Sequence, residues 1–177
     1  TISEFMEFLS KKMPQLTPEH LKALEAAYRG PVNKLNNKQI YSGLPIGSEY
    51  VCEFLMQPEK LKEFAWSWLR GHFGEGFDDR YFDFAEQFEE LKDVQASDFN
   101  ALNPDLSEFY ARGGKLIMYT GTADPLVPWP DALKYYNKVC EKMGGYEKIK
   151  DFFRLFILPG KAHGNGGKGV NTLWGDE

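Results

Sequence analysis

The chain has 177 residues, enough for one ordinary domain or two small ones and too few for a large multidomain enzyme. Its 42% hydrophobic residues, including 14 Phe and 9 Tyr, exclude wholesale disorder. The formal net charge is −5 and the basic residues are not clustered, so nucleic acid is not an expected partner. No apolar run approaches the roughly 20 residues that a membrane-spanning helix needs, so no membrane partner is expected.

The beginning of the chain predicts two helices. Apolar residues recur at helical spacing over residues 2–13, and Pro14 predicts the end of that helix. Thr17 followed by Pro18 is typical of an N-cap and first helical position, and a second helix is predicted from there to Gly30.

Residues 33–48 are rich in turn-forming residues, which favours a hairpin or extended loop. A third helix is predicted from Pro58 to just before Gly71. Residues 75–98 carry nine acidic residues against two basic ones, and a solvated helix face is favoured over a calcium site because the Asp-rich loop with a central glycine is missing. Four aromatic residues in this part are candidates for a pocket wall, although core packing is favoured for each: Trp66, Trp68, Phe73 and Phe77.

From about residue 101 the pattern changes to that of an α/β protein. Asn103 and Pro104 predict the start of a short helix that Gly113 closes. The nearly continuous apolar runs in GKLIMYTG and FFRLFILPG predict two buried strands, with an amphipathic helix between them. A strand–helix–strand unit with a right-handed crossover makes its strands parallel.

A reactive residue follows each predicted strand, at the sheet edge where parallel sheets collect ligands and catalytic groups. The segment TGTADPLVP offers Asp124 and the segment PGKAHGNGG offers His163. Alone, Asp124 before a proline is often only a turn former, and His163 among glycines only a solvated loop residue. Together they match the last two members of the Ser–Asp–His order of α/β-hydrolases. We expect an Asp124 carboxylate oxygen within about 2.6 to 3.2 Å of His163 Nδ1.

Three segments carry a resemblance to the tannase and feruloyl esterase family of α/β-hydrolases: NPDLSEFYARGGKLIMYTGTADPLVP, YYNKVCEKMGG and DFFRLFILPGKAHGNGG. Upstream, LTPEHLKALEAAYRGP and YSGLPIGSEY resemble the later part of that family's lid domain. The resemblance implies a lid-like helical segment over 1–100 and the C-terminal part of an α/β-hydrolase core over 101–177. It also implies a serine esterase of phenolic or aromatic acid esters, with Asp124 as triad acid, His163 as triad base and no cofactor.

Three departures from the family pattern qualify this expectation. No G-x-S-x-G motif occurs, so the nucleophile serine is expected on sequence absent from this chain, and the isolated chain is expected to be inactive. The family usually has a disulfide-bonded cysteine directly after the histidine, whereas Gly164 follows His163 here. The chain also stops at LWGDE, where the family continues into another helix, so both ends are expected to be cut.

A non-catalytic alternative stays open, in which the chain is a degenerate homologue or a fragment that acts as a lid or docking module. The expected partners are an aromatic ester substrate and either the missing N-terminal segment or a second copy of the chain. Cys140 lies on the apolar stripe of its predicted helix, which favours a buried free thiol that is not bonded to Cys52. The cysteines define no compartment, but the resemblance implies a secreted or periplasmic protein.

Overall fold

The structure is a computed structural model that describes residues 1–51, 67, 69–78, 81–164 and 166–169. None of the described helices is long and apolar enough to cross a membrane. The elements in chain order are α1 (Ile2–Lys12), α2 (Pro18–Arg29), a 3-10 turn (Glu49–Val51), α3 (Glu86–Phe99), α4 (Ser107–Ala111), β1 (Leu116–Gly121), α5 (Trp129–Lys142), α6 (Tyr146–Ile149) and β2 (Phe153–Leu158).

Helices α1 and α2 begin and end where the sequence predicts. The Thr17 hydroxyl oxygen accepts a hydrogen bond from the His20 backbone N–H at 3.3 Å, and Pro18 occupies the first helical position. Gly30 ends α2 with a φ of 77°, a left-handed value that favours glycine. The two helices pack against each other and bury Leu9 and Tyr28.

The segment after α2 is the predicted hairpin-like loop. Val32 and Gln39 form an antiparallel bridge, and the Asn33 N–H donates to the Lys38 carbonyl oxygen at 2.8 Å. This confirms that turn chemistry, and not helix propensity, governs residues 33–48.

The predicted third helix ends later than expected. Residues 69–73 are helical, so the helix passes through Gly71, and the chain leaves it at Gly74 with a φ of 93°. A single glycine inside a helix costs only about 1 kcal/mol, whereas a positive φ interrupts the helix. The predicted start at Pro58 and the side chains of Trp66 and Trp68 lie outside the described residues.

Helix α3 carries part of the acidic run. Glu86 and Glu90 are exposed on it, as a solvated helix face requires, and Glu90 contacts His72 at 3.1 Å. Within the described ranges, no three His, Cys, Asp or Glu side chains are grouped so that they could hold a metal ion.

The second half of the chain forms the predicted parallel strand–helix–strand unit. Strands β1 and β2 pair in parallel from Leu116 opposite Phe153 to Gly121 opposite Leu158. One face of this sheet packs on α5 and α6 around a fully buried cluster: Val139, Ile149, Phe152 and Phe153.

The prediction that both strands are buried is wrong for one face of the sheet. Ile117, Tyr119 and Phe156 are 66%, 49% and 48% exposed, and they alternate with the residues that face α5. The reason is that helices cover only one face among the described residues. A continuous apolar run indicates that a strand has two apolar faces, but not what covers each.

Two smaller expectations need correction. Helix α4 begins at Ser107, because the Asn103 side chain accepts from the Asp105 N–H at 3.0 Å and the Asp105 side chain from the Ser107 N–H at 3.1 Å. These two turns precede the helix and replace the predicted cap.

Cys140 is a free thiol that is half-buried rather than buried, and burial raises its pKa. Cys52 lies outside the described residues.

Candidate active site

The acid loop, residues 122–128, follows β1 and holds the carboxylate of Asp124 in a fixed orientation. Asp124 is 7% exposed, and its Oδ1 accepts hydrogen bonds from the N–H groups of Leu126 and Val127, both at 2.9 Å. The side chain is therefore a turn former, and this role uses only one of its two oxygens. Oδ2 stays available for a second partner.

The histidine loop, residues 159–169, follows β2 and folds back on itself. Lys161 and Gly167 form an antiparallel bridge, and the Ala162 N–H donates to the Gly166 carbonyl oxygen at 3.1 Å. Gly164, at a φ of 63°, turns the chain directly after His163. Glycines thus allow a tight return that brings His163 to the end of the sheet.

Backbone hydrogen bonds join the two loops directly. The Ala123 N–H donates to the Lys161 carbonyl oxygen at 3.0 Å, and the Gly160 N–H donates to Thr122 Oγ1 at 2.8 Å. A Cβ atom on Gly121 would lie 2.1 Å from the Lys161 carbonyl oxygen, so only glycine allows this approach. The loops are in contact at the carboxyl ends of both strands.

Asp124 and His163 meet across this junction although 39 residues separate them. Asp124 Oδ2 lies 3.0 Å from His163 Nδ1, so the contact that the sequence predicts is present. The carboxylate side chain is 11% exposed and the imidazole side chain 53%, and no described residue hydrogen-bonds to Nε2. An acceptor at Nδ1 favours the tautomer with its proton there, which leaves Nε2 as a basic nitrogen on the open side.

The N-terminal region contacts the histidine loop and α5 through side chains that sequence reasoning missed. The Lys168 N–H donates to the Tyr50 hydroxyl oxygen at 2.9 Å, which attaches the 3-10 turn to the histidine loop. Ser42 accepts from Lys134 Nζ at 3.0 Å, and its N–H donates to Asp131 at 2.9 Å, which attaches the 33–48 loop to α5. These partners are 89 to 118 residues apart, and no local sequence signal marks them.

An apolar groove of about 470 Å³ lies between the N-terminal region and the acid loop. Burial and the nearby carboxylates of Asp131 and Asp124 raise the pKa of Tyr41, which forms part of its wall. Phe73 and Phe77 stack on each other at 4.7 Å and are not among the lining residues. Trp66 and Trp68, the other predicted pocket candidates, lie outside the described side chains.

The model of the family described as tannase and feruloyl esterase matches residues 59–174, which include both Asp124 and His163. The chain belongs to this family. The match covers well over half of the chain and contains the whole strand–helix–strand unit. The family resemblance that the sequence carries is therefore confirmed.

Two curated relatives match nearly the whole chain. A probable feruloyl esterase of Arthroderma benhamiae is 30% identical over 97% of the chain, which corresponds to 31% of that protein. An uncharacterized esterase of Xanthomonas campestris pv. campestris is 29% identical over 89% of the chain and 33% of its own length. The chain thus spans about a third of the length of these relatives.

The crystal structure of feruloyl esterase B from Aspergillus oryzae superimposes with a TM-score of 0.75 at 22% identity, covering 92% of this chain and 34% of that one. At this level of sequence identity, the structural similarity supports the fold alone. The described elements are a portion of an α/β-hydrolase fold, as the sequence predicts.

Proposed function

We propose that the chain supplies the acid and the base of a serine-type carboxylic-ester hydrolase whose nucleophile serine lies on sequence outside this chain. The observation that carries the proposal is the 3.0 Å contact between the buried Asp124 carboxylate and the half-exposed His163 ring. Its position beyond the ends of two parallel strands, together with membership of the family, supports the assignment.

In the proposed reaction, His163 Nε2 accepts the serine proton while the serine oxygen attacks the ester carbonyl. The tetrahedral intermediate expels the alcohol, which takes the proton from the imidazolium, and an acyl-enzyme remains. Water then attacks the acyl group with His163 again as base, and the carboxylic acid leaves as serine regains its proton. Asp124 fixes the tautomer and stabilises the imidazolium that forms in both halves of the cycle.

The proposed substrates are esters of phenolic or aromatic acids. The support is the name feruloyl esterase that relatives of the chain carry. Residues 1–100 take the proposed role of a lid-like segment, and residues 101–177 that of the C-terminal part of the core. The contacts of Tyr50 with the histidine loop and of Ser42 with α5 support this division, because they lay the first region over the second.

The proposed partner is the remainder of an α/β-hydrolase core, including the segment with the serine. The uncovered face of the sheet supports this, since Ile117, Tyr119 and Phe156 together form an exposed apolar surface. Within the described residues the sheet has only two strands, β1 and β2, which leaves backbone groups free at both edges. A second copy of the chain on this face is the competing occupant.

A hybrid enzyme tests the catalytic assignment. The chain replaces the matching third of the Arthroderma benhamiae relative, and hydrolysis of methyl ferulate and p-nitrophenyl acetate is measured. We expect Asp124→Asn to lower kcat by about 10⁴-fold and His163→Ala by about 10⁶-fold, because the first variant loses the group that orients the base and the second loses the base itself. His20→Ala, at an exposed position near the start of α2, is the matched control and should keep activity.

Two results would contradict the proposal. An active hybrid that keeps its rate with His163→Ala would remove the assigned base. Serine-inhibitor-sensitive turnover by the isolated chain, for which we expect none above background, would place the nucleophile within it. A folded but inactive hybrid would favour the non-catalytic docking role.

A further inference from the structure

A buried lysine lies two residues before His163. Lys161 is only 5% exposed, and its Nζ donates a hydrogen bond to the Gly164 carbonyl oxygen at 2.6 Å. No carboxylate of the described residues pairs with this ammonium group. Burial of a charged group without an ionic partner is unfavourable unless hydrogen bonds compensate for the lost water. A neutral side chain would be favoured here if the position served packing alone.

The hydrogen bond closes a short ring around the proposed base. It joins the side chain of Lys161 to the backbone of Gly164, and the backbone of His163 is part of the ring that this bond closes. The glycines after it, Gly164, Gly166 and Gly167, have φ values of 63°, 124° and 100°, so this backbone has unusual conformational freedom. Because the residue after His163 is a glycine, a disulfide cannot hold the loop at that position.

The backbone of Lys161 bonds to the other half of the site. Its carbonyl oxygen accepts the Ala123 N–H at 3.0 Å, directly before Asp124, and the residue bridges to Gly167 across the histidine loop. One residue therefore connects the acid loop with both arms of the histidine loop. Its side chain is the only part of this connection that a substitution can remove without changing the backbone.

We propose that Lys161 is a positioning residue, whose ammonium group holds the Gly164 carbonyl and so keeps His163 against Asp124. The proposal rests on the proposed function in one respect, the role of His163 as base. The ordering of the loop is a property of the chain without substrate and is measured separately.

The first test uses the unaltered chain. Side-chain ammonium groups are observed by ¹⁵N NMR, and their proton exchange with water is compared between Lys161 and Lys138, an exposed lysine of α5. We expect the Lys161 protons to exchange at least about tenfold more slowly, because burial and the bond to Gly164 protect them. Equal exchange for the two lysines would overturn the proposal, and this measurement does not depend on whether any variant folds.

The second test is Lys161→Met, which keeps most of the stem volume and removes the charge, with Lys138→Met as matched control. We expect exchange of the two hydrogen-bonded amides of the histidine loop, those of Ala162 and Gly169, to rise at least about tenfold while the β2 amides stay within about twofold, since the lost bond is local. The downfield Nδ1–H signal of His163 should weaken. Unchanged loop exchange, or an equal rise in the loop and in β2, would show a merely structural lysine.

The hybrid enzyme separates the two proposals. Lys161→Met should lower its kcat about tenfold or more with KM within about twofold, because a misplaced base affects the chemical step more than binding. An unchanged kcat would overturn the positioning role. If the hybrid is inactive from the start, the proposed function fails while the two NMR experiments still decide the role of Lys161 in the loop.

Discussion

The N-terminal region, residues 1–51, and the strand–helix–strand region, residues 101–169, are stabilised by different forces. The first buries few apolar side chains, Leu9 and Tyr28 among the described residues, and attaches to the rest of the molecule through polar contacts. The second is built on a continuous apolar cluster around Phe153 and Val139, both 0% exposed.

This difference indicates which region of the chain holds the two loops of the site in place. Burial of apolar area contributes about 25 cal/mol per Å² without regard to direction, whereas a single hydrogen bond adds only about 0.5 to 1.5 kcal/mol net. The strand–helix–strand region therefore sets global stability and carries both loops of the site. We therefore expect the N-terminal region to detach locally, while its polar contacts hold it to the histidine loop and α5.

The strongest test of this comparison is Phe153→Ala, measured by urea unfolding of the isolated chain. Phe153 packs against Tyr136 and the α5–α6 cluster, so its truncation should lower the free energy of unfolding by about 3 to 5 kcal/mol. Phe156→Ala on the same strand is the matched control. Its side chain is 48% exposed, and the expected loss is below about 1 kcal/mol. Equal losses would mean that the cluster is not the core.

Two glycine substitutions separate local from global loss of structure. A Cβ on Gly43 would lie 2.2 Å from the Tyr28 carbonyl oxygen, and one on Gly121 would lie 2.1 Å from that of Lys161. Each Gly→Ala change should cost about 1 to 3 kcal/mol, because backbone atoms must move apart.

The location of the loss distinguishes these variants in amide exchange. Gly43→Ala should expose the amides of α1 and α2 and leave β1 protected, whereas Gly121→Ala should raise exchange in β1 and β2 as well. Gly71→Ala is the control, since no atom lies within 4 Å of its added Cβ. Parallel loss of protection in both regions with Gly43→Ala would refute local detachment.

The sequence predicts the parts of the molecule that depend on local pattern and chain order. The parallel strand–helix–strand unit and the approach of Asp124 to His163 follow from apolar runs, turn residues and the shared edge of parallel strands. The start of α4 was not predictable, because Asn103 is equally suited to a cap and to the turn that it forms. A piece of a larger sheet is expected to expose apolar surface, but which face of the sheet is exposed was not predictable, because composition does not show which surfaces a chain covers.

Contacts between the two regions also escape prediction from sequence. Tyr50 and Lys168 are 118 residues apart, and Ser42 and Lys134 are 92 apart. Tyrosine, serine and lysine are common surface residues, so their types do not indicate a long-range partner. Lys161 looks like an ordinary loop lysine in the sequence, and only its burial in the folded chain gives it a role.

The smallest expected effect concerns the pH dependence of the N-terminal region. Partial burial of Glu49 raises the pKa of its carboxyl group, but hydrogen bonds from the Tyr28 hydroxyl and the Gly47 N–H outweigh this and lower the pKa below the ordinary value of 4.5. A group whose pKa falls on folding contributes stability above its unfolded pKa and loses that contribution as the pH falls through its folded pKa. Because Glu49 is largely exposed, the contribution is at most about 1 kcal/mol.

Glu49→Gln should therefore lower protection of the α2 amides against exchange by up to about fivefold at pH 7, because the charged acceptor for Tyr28 is lost. The difference between this variant and the unaltered chain should shrink steadily as the pH falls below 4.5, where the unaltered carboxylate takes up a proton. Glu141→Gln, at an exposed position on α5, should change protection little at either pH. A difference that stays constant through this pH range would mean that Glu49 acts through its shape and not through its charge. The N-terminal region would then be held by packing, and the two regions would differ only in how much apolar surface they bury.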